Sequence, residues 1–194
     1  MNFLTDPPAQ DGPLGETKRN DFREDLKYSE EASGEDFWQE VYKEAFPDIV
    51  FAIPATEDTQ GQKFGIDRVV YMKSGKTIYI DEKKRREVFG DILLEYKSND
   101  NQKENNGWMN KELIIDYLAY AFMPTKTVYL LDWLSLRRAW LKNGIAWKKL
   151  AKLERKGFRI VKAKNRTYNT LSIAVPIKTL MQEISRPIII ELSS

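Results

Sequence analysis

The chain of 194 residues contains no cysteine and no histidine. The first absence excludes disulfides, thiolate nucleophiles and zinc–sulfur sites. The second excludes Ser-His-Asp and Cys-His catalysis and imidazole metal sites. No apolar run approaches the ~20 residues of a membrane-spanning helix, and the N-terminus lacks the basic-then-apolar pattern of a signal segment. The expectation is a soluble, cytoplasmic protein with no membrane partner. Any catalysis falls to carboxylates, lysine, tyrosine or a hard metal bound through oxygen.

What the chain does have is charge, unevenly placed. The net charge is only +2, yet residues 1–60 carry 15 acids and 5 bases, and residues 134–186 carry 14 bases and 2 acids. A basic block of this density suggests a polyanionic partner such as DNA. It reads alternatively as a solvated surface, or as a patch that pairs with the acidic N-terminal third.

Residues 1–34 are rich in Pro, Gly and charge and read as a polar arm. From Glu35, apolar residues at helical spacing (Phe37, Trp38, Val41, Tyr42, Phe46) predict a helix that Pro47 stops. Ile49 to Ile53 is a short apolar run, either a strand or the exit of that helix. Three strand-like segments follow: Phe64–Tyr71, Thr77–Lys84 and Asp91–Lys97. The spacing of Leu113, Ile114, Tyr117, Leu118 and Ala121 predicts a second helix over 111–122, and Thr127–Leu131 reads as a strand. Residues 35–133 thus form an α/β core with a mixed sheet. Residues 134–194 read as a basic α+β extension: helices over 134–142 and 146–155, strands over 158–163 and 168–175, and a last helix led by Pro176.

Each of the three strand-like segments delivers an acid: Asp67, Asp81 and Glu95. Acids at the ends of apolar strands are costly to desolvate unless a cation offsets them. A loop of Lys73, Ser74 and Gly75 closes the first two strands into a hairpin with Asp67 beside Asp81 and Lys83 on the same face. A two-residue Ser-Gly loop would instead bring Glu82 and Lys84 to that position; the three-residue loop is preferred. The four residues Asp81 to Lys84 also read as a salt-bridged strand end. Glu95 closes the apolar run Ile92-Leu93-Leu94, which reads as a central strand. Carboxylates suit Mg²⁺, which takes oxygen ligands, and a nearby lysine can orient water or stabilise a phosphoryl anion.

The runs Gly65-Ile66-Asp67, Ile80-Asp81-Glu82-Lys83 and Leu94-Glu95 resemble the PD-(D/E)XK, or restriction-endonuclease-like, nucleases. The resemblance covers about half the chain and implies an αβββαβ core over residues 35–133. It implies that Asp67 is the first acid, that Asp81 and Lys83 are the (D/E)XK part, and that Glu95 is an additional metal-shell acid. The implied activity is hydrolysis of DNA phosphodiesters, an endonuclease using Mg²⁺ or Mn²⁺ held by Asp67, Asp81 and Glu95. No proline precedes Asp67. A second register also fits, with Asp81 as first acid and Glu95-Tyr96-Lys97 as the later motif. A homodimer is among the expected partners, beside DNA. The rival readings are a non-catalytic nucleic-acid-binding protein on the same fold, and a structural or assembly protein.

Among the remaining candidates, Lys162, Lys164 and Arg166 sit at an expected hairpin tip suited to phosphate contact. Trp133, Trp140 and Trp147 recur every seven residues among cations. Stacking on bases would use such rings, but packing of a helix is the preferred reading. Glu40 and Glu44 on the first helix read as solvated.

Overall fold

A computed structural model of the chain describes residues 35–55, 61, 63–104 and 106–193. The expected arm over residues 1–34 lies outside them. Among the described residues there are three α-helices, α1 (Glu35–Ala45), α2 (Trp133–Lys152) and α3 (Ile177–Glu183). The strands are β1 (Ile49–Pro54), β2 (Arg68–Met72), β3 (Thr77–Arg85), β4 (Asp91–Lys97), β5 (Tyr117–Phe122), β6 (Thr127–Asp132), β7 (Arg159–Lys164), β8 (Asn169–Pro176) and β9 (Ile188–Glu191). Six of them build a mixed sheet in the order β1-β2-β3-β5-β6-β9, and β4-β8-β7 form a second, antiparallel sheet. In the large sheet β3 and β5 run parallel, and the other neighbours are antiparallel.

The coarse class is α/β with a mixed sheet, as expected, but two sequence readings are corrected. The segment 111–122 is no second helix: Tyr117–Phe122 is strand β5, buried at every residue but Tyr117. Its six residues are apolar on both faces, and so short a run fits either period. Burial between two layers decides for the strand. The second correction concerns β4. It is not the neighbour of β3 in one sheet; β5 takes that edge, and β4 pairs with β8 instead. An αβββαβ core is therefore not reproduced element for element. The region 134–194, read as an extension, completes both sheets through β7, β8 and β9.

Side-chain alternation along the large sheet explains the layering. Ile78, Ile80, Ala119, Ala121, Val128 and Leu130 face α1, whose Trp38, Val41 and Tyr42 are buried against them. Leu118, Tyr120, Phe122 and Leu131 face the other way and pack with Ile92 and Leu94 of β4, Ile173 and Val175 of β8, and α2. The molecule is thus helix on sheet on sheet-plus-helices.

Helix α2 is one continuous element where two were expected. Gly144 does not break it, because the residue lies against the Trp140 indole, where an added Cβ would meet the ring at 3.2 Å. Asp132 caps the helix by accepting from Ser135 N at 2.7 Å. Trp133, Leu136, Trp140, Trp147 and Ala151 are its buried face, so the tryptophan repeat is core, as preferred. Strand β9 had not been anticipated; its run Ile188-Ile189-Ile190 is the β-branched signal that could have shown it.

Candidate active site

The hairpin of β2 and β3 closes through Lys73, Ser74 and Gly75. Gly75 takes φ 81°, the left-handed conformation that such a loop needs. The resulting register pairs Arg68 with Ile80 and Tyr71 with Thr77. Next to the Arg68–Ile80 pair, at the open end, Asp67 N donates to Ile80 O at 2.9 Å. The Asp67 carboxylate then stands in for a further strand residue, its Oδ2 accepting from Glu82 N at 2.9 Å.

Asp81 and Lys83 lie two apart on β3 and so project from the same face. The Lys83 ammonium donates to Asp81 Oδ1 and lies 4.0 Å from Asp67 Oδ2. Asp81 is only 2 % exposed. Its burial pushes the carboxyl up to about 7, with Lys83 opposing the shift and Asp67 adding to it. Burial alone would depress Lys83, but the side chain keeps 34 % of its surface. Asp81, Asp67 and Glu95 outweigh the burial and hold the ammonium above the usual lysine range. Two acids therefore share one lysine, with negative charge in excess.

Glu95 comes from the other sheet. Its Oε1 accepts from Ser98 Oγ at 2.6 Å. Strand β4 bulges between Glu95 and Lys97, and a bulge re-aims a side chain. The loop after β4 folds back onto this bulge. Asn106 bridges to Lys97, and Asn110 Nδ2 donates to Tyr96 O at 2.9 Å. Gly107 passes so close that a Cβ there would lie 2.5 Å from Glu95 O. Ser98, Gly107 and Asn110 were not singled out as site residues; the one signal was the glycine ahead of Trp108.

The expected cage of Asp67, Asp81 and Glu95 is not found: no group of three acids stands close enough to hold a metal ion among the described residues. Glu95 reaches the centre through its field at Lys83. The other candidate lysines point elsewhere. Lys97 donates to Asp100 O at 3.3 Å, and Lys84 lies over the Trp38 ring on the α1 face. Glu82 also faces α1, where Arg68 Nε at 2.8 Å and the Tyr42 hydroxyl at 2.9 Å donate to it. Burial raises the Glu82 carboxyl, and these donors hold it back.

A second ionic cluster ties the sheets together. Asp91 at the start of β4 is 2 % exposed. It meets Arg85 of β3 at 2.5 Å and Arg159 of β7 at 2.8 Å. Both guanidinium groups lie over the Phe89 ring. Farther along the second sheet, Lys162 and Lys164 on β7 and Arg166 in the turn after it are all exposed. Asn169, at the far side of that turn, is held by Asp100 through two hydrogen bonds of 2.8 and 2.7 Å.

No helix among the described residues is long and apolar enough to cross a membrane. In comparisons with known proteins, no family model, no curated protein and no solved structure matches this chain.

Proposed function

We propose that the chain is a metal-dependent nuclease acting on DNA phosphodiesters. The observation that carries this reading is the meeting of Asp67, Asp81 and Lys83 at the open end of one hairpin, with Asp81 buried. A buried carboxylate that shares its lysine with a second acid is short of positive charge. Mg²⁺ suits such a pair, because it takes one or two carboxylates and completes its shell with waters and phosphate oxygens. Asp67 and Asp81 would hold the Mg²⁺ (or Mn²⁺), and the ion when bound would polarise the phosphoryl oxygen and activate water.

The chain's own groups do the rest. Asp67 is fixed by Glu82 N through one oxygen, which fixes the direction of the other. Lys83 stays charged and, on the site face, can donate to a phosphoryl oxygen or align the attacking water. Glu95 adds to the field that keeps it charged. Exposed Lys162, Lys164 and Arg166 would hold the DNA backbone away from the scissile bond.

The test is cleavage of single-stranded, duplex and flapped DNA with Mg²⁺ and with chelator, beside Lys83→Ala and Asp67→Asn. Metal-dependent cleavage that falls at least about 100-fold in both variants is expected, the scale on which a single charge-stabilising group acts. Cleavage that survives both substitutions would remove the assignment. The missing third carboxylate favours a rival, DNA binding without hydrolysis; binding with no cleavage of any DNA form would establish that rival.

A further inference from the structure

The face of the large sheet that carries Asp81 and Lys83 continues outward over β2 and β1. Opposed residues share a face, so the pairs Val69–Tyr79 and Ile53–Val69 form one rung beside the acids. The pairs Tyr71–Thr77 and Phe51–Tyr71 form the next. The second sheet and α2 cover β5 and β6 on this side, yet Phe51 remains 49 % and Ile53 44 % exposed. The Phe51 and Tyr71 rings lie 4.6 Å apart and 34° from parallel. An apolar, aromatic surface left open beside charged groups marks a contact site.

From this geometry we infer that Phe51, Tyr71 and Tyr79 form a stacking platform for unpaired nucleotides of the strand that reaches Lys83. The inference rests on the proposed phosphodiester site and names its substrate class: DNA with a single-stranded segment. Aromatic faces take up bases of any sequence, but only bases whose own faces are free, which those within a duplex are not. The charge agrees with this occupant. Lys83 stands at one end of the platform and exposed Lys73 at the other, eight residues apart along the hairpin's two strands by way of the Arg68–Ile80 register. That is about 26 Å of strand, with apolar and aromatic groups between the cations. A backbone held at both ends would lay its bases over the rings.

The experiment measures binding of a fluorescent oligothymidylate and of a matched duplex, both in chelator so that cleavage plays no part. The double variant Phe51→Ala/Tyr71→Ala is expected to bind the single strand about 10- to 100-fold more weakly, as losing one or two stacked bases implies. Duplex binding should stay within about twofold. Phe51→Leu/Tyr71→Leu keeps apolar bulk without the π faces, and should lose single-strand affinity as well. Both pairs sit at the surface, and circular dichroism would verify folding. Full binding by the leucine variant, or equal loss on both DNA forms, would overturn the platform. So would sedimentation showing that wild type is a dimer and the alanine variant a monomer, since a second copy would then cover this face. A failure to cleave any DNA would remove the nuclease reading and leave this binding result standing by itself.

Discussion

Replacing Asp81 by asparagine should make the protein more stable above neutral pH while removing the proposed metal-dependent cleavage. Asp81 is 2 % exposed, and burial raises its carboxyl from 3.8 to about 7. The folded chain therefore holds this proton more tightly than the unfolded chain does. The sign follows: the stabilisation is complete below the unfolded value and is lost as pH rises through the folded one. For those two values the loss between about pH 5 and about pH 8 comes to roughly 2.5 kcal/mol. Asparagine cannot ionise, so Asp81→Asn escapes that loss, and Lys83 keeps Asp67 as an anionic neighbour. At about pH 5 the variant should already lead by roughly 1.5 kcal/mol, because the unfolded carboxyl is by then ionised while the folded one is still mostly neutral. At about pH 8 the lead should have grown to roughly 4 kcal/mol. Urea unfolding followed by tryptophan fluorescence, in chelator and at both pH values, reads the difference as a shift in midpoint at constant slope. If the variant were less stable at the higher pH, the carboxylate would be a net stabiliser of the fold, and the argument from burial would be wrong.

Three further outcomes follow from the geometry. Asp91→Ala leaves Arg85 and Arg159 without their shared partner, and should cost about 3 kcal/mol, the low end for a broken buried pair because Arg159 is partly exposed. Adding Arg85→Met should recover part of it, and a urea midpoint unmoved by Asp91→Ala would refute the clamp. Gly107→Ala drives a Cβ toward Glu95 O, 2.5 Å away, and should cost about 1 to 3 kcal/mol as backbone shifts; a wild-type melting curve would show that the loop gives freely. Substituting Lys162, Lys164 and Arg166 together by alanine should weaken DNA binding alike across sequences and flatten the logarithmic salt dependence by about 3 units on duplex. An unchanged salt slope would place the DNA elsewhere.

Much of the hairpin was legible because local chemistry decides it. Glycine at the third loop position fixes the closure, and the closure fixes which of Asp81 to Lys84 face which way. Asp67, Asp81 and Lys83 therefore converge as read. Glu95 was legible as a strand end but not in its sheet. The partner of β4 is β8, more than 70 residues later, and no local pattern announces a pairing so distant in the chain. Strand β5 was misread for a related reason. Leu113, Ile114, Tyr117, Leu118 and Ala121 fit a helical stripe, but the chain to which they belong is wedged between two layers, and burial on both faces overrode the period.

The four charged residues at the end of β3 show how alternation sorts one run into two jobs. Glu82 and Lys84 turn toward α1. There Glu82 accepts from Arg68 and Tyr42, and Lys84 covers Trp38. This half anchors the strand, since a buried carboxylate with two donors resists displacement. Asp81 and Lys83 turn to the opposite face, where the lysine is shared and the acid is held near 7. On the proposed reading, this half takes an incoming cation or phosphate. A carboxylate with two donors lies on one side of the backbone, and a lysine shared by two acids lies on the other. That places the cost of the poised side on a strand its other side already holds, and it explains how a run readable as a salt-bridged strand end can also carry the proposed site.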